Sequence, residues 1–234
     1  GGAAYLGGKI YTAYTERAEL GIYDIAGDSW TTIPSSLGFT GNIATDGTFL
    51  YLALYNSLVR YDPGSATWTP LAVSPIYFHS WGGLEYLDGS LYGHEGNGYN
   101  GFARYDIAAD TWTVLPDLPD GAVLGSAIDP VERAYHAYGS YGAINWYTFR
   151  IDAGSWNTAQ VPFFNIYDGG MAYLCEAGRC GIYFVQGEEG SGFARRETVP
   201  AGSDVPWLWE EPSPAMLPPG TDGDRLLAAL QGHV

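Results

Sequence analysis

Tyr23-Asp24-Ile25-Ala26-Gly27-Asp28-Ser29-Trp30 is the stretch on which the fold turns, because the chain writes it again. It returns as Tyr61-Asp62-Pro63-Gly64-Ser65-Ala66-Thr67-Trp68 and as Tyr105-Asp106-Ile107-Ala108-Ala109-Asp110-Thr111-Trp112. A worn copy reads Phe149-Arg150-Ile151-Asp152-Ala153-Gly154-Ser155-Trp156. The tryptophans stand 38, 44 and 44 residues apart. Self-similarity at a period of about 20–50 residues marks a repeat architecture, in which each unit buries its apolar face only against a neighbour.

Each tryptophan unit extends backwards into four short β segments separated by turn residues. Around Trp112 these are Gly82–Leu87, Ser90–His94, Phe102–Asp106 and Thr111–Leu115, with a Gly/Asn turn over 96–101. The first unit reads Gly2–Leu6, Lys9–Ala13, Glu19–Tyr23 and Ser29–Ile33; the second Gly41–Thr45, Phe49–Leu54, Leu58–Tyr61 and Thr67–Leu71. The fourth runs from Gly125 to Ala159. A fifth, degenerate unit opens at Gly169-Gly170, echoes Gly101-Phe-Ala-Arg-Tyr105 at Gly192-Phe-Ala-Arg-Arg196, and closes at Trp207-Leu-Trp209. The expected fold class is all-β: a β-propeller of four-stranded antiparallel blades, with five blades at about 1–35, 36–72, 73–120, 121–161 and 162–209. The Glu/Pro-rich run from Glu210 to Gly220 reads as a linker, and 224–231 as a short helix ended by Gly232.

Composition agrees with this. Of 234 residues only 15% are charged, while Gly (33) and Tyr (19) abound, which suits many strands joined by tight turns. A net charge of −16 with a single lysine argues against nucleic-acid phosphates and anionic lipid as partners. No apolar run approaches the roughly 18–20 residues of a membrane span. Gly1-Gly2 opens inside a motif found again at Gly82-Gly83 and Gly169-Gly170, so a processed or truncated chain is expected. Cys175 and Cys180 flank a four-residue turn between apolar runs, where a hairpin disulfide fits; two free thiols are the alternative. A disulfide favours an extracellular, cell-surface or periplasmic location.

The repeats resemble the kelch family over about residues 1–209. The Tyr-Asp…Trp half of the motif is kept at 23/30, 61/68 and 105/112. The Gly pair is eroded: Gly96, Gly139 and Gly187 match its second member, but Glu95, Tyr138 and Gln186 replace the first. The resemblance implies that the loops between strands two and three share one face with the loops between blades, and that this face holds the ligand site.

Those loops carry Phe39-Thr40, Tyr77 to Trp81, His94 to Asn100, Tyr138 to Tyr141, Phe163 to Asp168, and Glu188-Glu189. Aromatics beside Asn, Glu and His suit a sugar or peptide site, offering stacking with a few orienting polar groups. The candidate ligand-binding residues are Tyr77, His79, Trp81, His94, Glu95, Tyr99, Phe164, Tyr167 and Asp168. The repeated Tyr–Trp pairs are expected to be wedges between sheets, outside any site. Glu95 or Asp168 beside a histidine would make an acid/base pair. His79, His94 and His136 would make a metal site only by converging, so no metal or other cofactor is expected.

These observations favour a non-catalytic extracellular binding or assembly module that recognises a protein or glycan partner, with the C-terminal tail as a further assembly element. Two alternatives stand beside it: a propeller enzyme acting on a sugar or peptide, mutarotase-like or glutaminyl-cyclase-like, and a structural subunit of a larger assembly. A copper-radical oxidase is disfavoured, since it requires a Tyr cross-linked to a Cys and both cysteines here are expected to pair. Three convergent ionisable side chains in a pocket at the channel mouth would favour an enzyme, and a broad aromatic patch without them a binding module.

Overall fold

The computed structural model describes residues 2–13, 18–34, 41–121, 123–139, 145–160, 170–176, 179–185, 193–198 and 209–210. The expected linker and helix beyond residue 210 lie outside the described residues, as do Phe39, Thr40, Tyr141, Phe164, Tyr167, Asp168, Glu188 and Glu189. The described chain is all β. Blade one comprises β1 (Gly2–Leu6), β2 (Lys9–Ala13), β3 (Glu19–Asp24) and β4 (Ser29–Pro34). Blade two comprises β5 (Asn42–Thr45), β6 (Leu50–Leu54), β7 (Ser57–Asp62) and β8 (Thr67–Pro70). Blade three holds β9 (Gly83–Leu87), β10 (Ser90–Gly96), β11 (Tyr99–Asp106) and β12 (Thr111–Val114). Blade four holds β13 (Val123–Asp129), β14 (Ala134–Gly139), β15 (Asn145–Arg150) and β16 (Ser155–Gln160). Blade five holds β17 (Gly170–Glu176), β18 (Arg179–Val185), β19 (Phe193–Glu197) and β20 (Trp209–Glu210).

Each blade is a four-stranded sheet whose strands pair in chain order, the up-and-down blade of a β-propeller. The chain divides into two compact units. The first, Gly1–Val123 with Gly154–Trp156, carries blades one to three; the second, Leu124–Ala153 with Asn157–Val234, carries most of blades four and five.

In the first unit, β6 shows why the repeats need each other. Its sequence Leu50-Tyr-Leu-Ala-Leu54 is buried at every position. Successive strand side chains point to opposite faces. Leu50, Leu52 and Leu54 therefore join one core with Leu20, Ile22 and Ile43, while Tyr51 and Ala53 join a second with Leu84, Leu91 and Tyr105. A strand read as a continuous apolar run is covered on both sides.

The repeated octapeptide has a local and a tertiary job. Locally, the Asp after Tyr makes the β3–β4 type turn: Gly27 N donates to Asp24 Oδ1 (2.9 Å), Gly64 N to Asp62 Oδ1 (2.8 Å) and Ala109 N to Asp106 Oδ1 (3.0 Å). The turn returns Trp opposite Tyr, in the registers Tyr23↔Trp30, Tyr61↔Trp68 and Tyr105↔Trp112. The rings then stand 5.1, 4.6 and 5.1 Å apart.

The tertiary job refines the expected wedge. Tyr61 and Tyr105 are buried, but Trp112 and Trp156 are half-buried and act as latches. Trp112 Nε1 donates to the Ala72 carbonyl (2.9 Å), just beyond blade two, while Asp110 Oδ1 accepts from Ala72 N (2.8 Å) and from the Tyr105 hydroxyl (2.6 Å). One residue leaving blade two is thus gripped at both backbone groups by blade three. Trp156 Nε1 repeats the grip on the Pro116 carbonyl (2.8 Å). Trp30 is 54% exposed.

Two boundaries differ from expectation. β10 runs to Gly96 and β11 begins at Tyr99, so the expected long Gly/Asn turn is the two residues Asn97-Gly98, both at positive φ, following a bulge between His94 and Gly96. In blade five the register Glu176↔Arg179 shortens the cysteine turn, and Cys175 faces Cys180. The two cysteines form a disulfide, with Cα atoms 4.0 Å apart.

Candidate functional site

In the first unit, three connections meet at one edge: the β6–β7 tip at Tyr55-Asn56, the blade two–three crossing over 71–82, and the β10–β11 tip. The crossing is stitched to both tips. Ser74 N donates to the Asn56 carbonyl (2.7 Å), Phe78 N to the Tyr55 carbonyl (2.7 Å) and His79 N to the Glu95 carbonyl (2.9 Å). Strand-like alternation sorts its side chains: Ile76 and Phe78 enter the core, whereas Tyr77 and His79 face outward, Tyr77 at 42% exposure.

The outward rings form a ladder. Tyr55 lies 5.1 Å from Tyr77, Tyr77 lies 4.7 Å from His79, and His79 stacks on Tyr99 at 4.8 Å with 13° between planes. Its end members, Tyr55 and Tyr99, are 52% and 54% exposed. Three exposed tyrosine rings, joined through the half-buried His79 imidazole, make a strip of amphipathic surface, apolar on the faces and polar at the hydroxyls.

Glu95 positions this strip. Its Oε1 accepts from Tyr77 N (3.0 Å) and its Oε2 from Gly101 N (3.0 Å), tying the crossing to the start of β11. A Cβ added at Gly101 would lie 2.6 Å from Glu95 Oε2, so glycine is what lets the carboxylate in. The expected acid/base role for Glu95 gives way to a positioning one, because both oxygens are engaged by backbone N–H groups. His94 also departs from expectation. It sits inside β10 and is fully buried rather than displayed on the loop edge, with its Nε2 3.2 Å from the Trp81 carbonyl of the crossing. A carbonyl only accepts, so Nε2 carries the proton. Burial pushes the imidazole down to about 4, so it is neutral at physiological pH. Asn42 Nδ2 completes the support with a bond to the His79 carbonyl (3.1 Å).

Of the candidate residues, Tyr77, His79 and Tyr99 come together in the ladder and Glu95 organises it. Trp81, 49% exposed and at φ 63°, lies on the same crossing. Tyr55 is the member that sequence reading missed. It too holds positive φ, at 53°, in the two-residue tip between Leu54 and Ser57. Bulky residues rarely adopt that conformation.

A second polar cluster lies in the second unit. Among the described residues, Asp129, Glu132 and His136 are the group whose ligand-type atoms lie within 4.8 Å of one another. His79 and His94 do not belong to it. All three members are buried. Asp129 Oδ1 accepts from Val131 N and Glu132 N (both 2.9 Å), and Oδ2 accepts from the Thr198 hydroxyl (2.7 Å). Burial raises the Asp129 carboxyl above its ordinary value against those bonds. Glu132 Oε2 faces Arg150 Nη1 at 3.2 Å and His136 Nε2 at 3.8 Å. The indole of Trp146 donates to His136 Nδ1 (3.1 Å). That lone pair being used, the ring proton sits on Nε2 and faces Glu132. Metal-binding imidazoles have the opposite arrangement, donating from the second nitrogen. The cluster is therefore a charge network binding the β13–β14 turn to β15 and to the residue after β19.

No protein-family model matches the chain, and no curated protein is similar to it in sequence. Solved structures are similar in fold. A chain of hydrazine synthase from Kuenenia stuttgartiensis aligns at TM-score 0.59 and 13% identity, over 83% of this chain and 65% of its own length. A chain of a nidogen/laminin complex aligns at TM-score 0.65 and 12% identity, over 84% and 74%. YjhT aligns at TM-score 0.61 and 12% identity, over 79% and 71%. The chain thus spans just under two thirds of the hydrazine synthase chain, and these likenesses establish the β-propeller fold alone.

Proposed function

We propose that this chain is a kelch-like binding module that recognises a protein or glycan partner through the ring ladder Tyr55–Tyr77–His79–Tyr99. The observation that carries the reading is a row of three exposed tyrosines and a half-buried histidine assembled from three separate connections, with the Glu95 carboxylate spent on holding it in place. Exposed tyrosines supply large, rigid contact area at low entropic cost. A catalytic reading would require accessible ionisable groups converging on a substrate. Of the groups described, Glu95 is bound to backbone and the Asp129–Glu132–His136 cluster is buried. The disulfide supports an extracellular or periplasmic setting, and no helix of the described residues is long and apolar enough to cross a membrane.

The test is retention of the native protein and of a Tyr77→Ser/Tyr99→Ser variant on immobilised neutral oligosaccharides and on peptides of varied charge. Binding by the native chain that the double variant loses, with unchanged thermal stability, supports the module. Equal retention of both proteins on every probe would remove the ladder from the function.

A further inference from the structure

The rim of the ladder narrows the class of ligand. The segments that build it, 54–57, 71–82, 95–101 and 115–121, contain Glu95, Asp117 and Asp120 but no lysine or arginine. The two aspartates belong to the strip's surroundings by backbone pairing. Leu118 N donates to the Asn100 carbonyl (2.8 Å) and Gly98 N to the Gly121 carbonyl (3.0 Å), so residues 118–121 run alongside the segment that carries Tyr99. Asp117 and Asp120 are exposed. The arginines of blades two and three are engaged elsewhere: Arg60 lies 4.4 Å over the Phe49 ring, and Arg104 binds Ser90 and Asp106.

Aromatic faces carry negative potential, and an acidic rim deepens it. The chain's net charge of −16 repels anionic ligands, including phosphorylated and sulfated ones, and draws cations. Resting on the binding reading above, we infer that the ladder takes the arginine or lysine side chains of a basic segment of a protein partner, the cationic group lying on a tyrosine face beside Asp117 and Asp120. The surface is a strip that spans three connections, so it suits an extended segment presenting successive basic side chains.

The probe is an arginine-containing peptide, acetyl-GRGRGRG-amide, measured by calorimetry against its citrulline counterpart, which keeps the shape and removes the charge, and against a neutral oligosaccharide. We expect the arginine peptide to bind and the citrulline peptide to bind at least fivefold more weakly. Tyr77→Leu and Tyr99→Leu should each weaken the arginine peptide about two- to fivefold, the range of an exposed cation–π contact, while Tyr77→Phe and Tyr99→Phe preserve it. Because none of these substitutions alters net charge, they separate ring recognition from general attraction to an acidic protein. Arginine-peptide binding that is indifferent to the leucine variants would overturn the inference as nonspecific electrostatics. Tyrosine-dependent binding of the oligosaccharide or the citrulline peptide without a preference for arginine would overturn the cation assignment and leave the binding reading standing. No tyrosine-dependent binding of any probe would remove both.

Discussion

Replacing Trp112 with Phe tests what the repeated tryptophan is for, and Trp30→Phe is its internal control. The Trp112 indole donates to the Ala72 carbonyl at 2.9 Å and stands 5.1 Å from Tyr105 and 6.0 Å from Phe78. Phenylalanine keeps the ring contacts and loses the donor. The lost hydrogen bond costs about 1 kcal/mol, since the half-exposed carbonyl recovers part of its solvation. Indole and phenyl differ by about 50 Å2 of apolar surface. With half of that buried, the loss is about 0.6 kcal/mol at 25 cal/mol per Å2. Together these come to about 1.5 kcal/mol, or roughly 5 °C in the melting of a unit this size. Trp30 has the same sequence surroundings and the same stacking partner geometry at 5.1 Å from Tyr23, but is 54% exposed. Its substitution should cost under about 0.5 kcal/mol. Thermal unfolding by calorimetry on the wild type and both variants decides. Equal destabilisation by the two substitutions would show that the Tyr–Trp stack, and not the latch on the preceding blade, is what the motif contributes.

The other expectations concern the edge, the buried histidine and the hairpin staple. Tyr55→Asn relieves a positive φ that favours asparagine, so it should leave the fold as stable or raise it by up to about 0.5 kcal/mol while weakening ladder-dependent binding; a loss of stability above 1 kcal/mol would contradict the strain argument. Glu95→Ala leaves two backbone donors without their acceptor and should destabilise by about 1–3 kcal/mol, with Gly101→Ala giving a similar effect by displacing the carboxylate and Glu95→Gln a smaller one, as read from denaturant midpoints. His94 has a folded value of about 4 against 6.5 for an unhindered imidazole, so the unfolded chain takes up its proton first as the solution is acidified. Stability should then fall as pH drops from about 6.5 towards 4, by up to about 3 kcal/mol, and His94→Gln should flatten that slope, while the raised Asp129 carboxyl works in the opposite direction in both proteins. Reducing Cys175–Cys180 should expose two alkylatable thiols and cost about 2 kcal/mol for so short a loop, seen as a lower melting temperature in reductant.

What could be read from the sequence divides along a physical line. The blades were legible because their signals are local and repeated: an Asp side chain closing a turn on its own next residues, and an aromatic returned opposite another seven positions later. The latch was not, because its acceptor is a bare carbonyl at Ala72 or Pro116, and any residue offers one. The site was half legible. Tyr77, His79 and Tyr99 stood out as aromatics in unrepeated loops, yet Tyr55 sits between two apolar strands and looks like strand until its two-residue tip is recognised. His94 was expected where the strand ends and the loop begins, but β10 continues two residues beyond it. The bulge at Gly96 prolongs β10 past it and turns an expected rim ligand into a buried prop for the Trp81 carbonyl. The Glu132–His136 contact carried no signal in the sequence. They are four residues apart, running from the β13–β14 turn into β14, and only the donor at Trp146 reveals which imidazole nitrogen holds the proton. In a blade the backbone decides where side chains meet, so roles that depend on one hydrogen atom or one register step become readable only once the strands are paired.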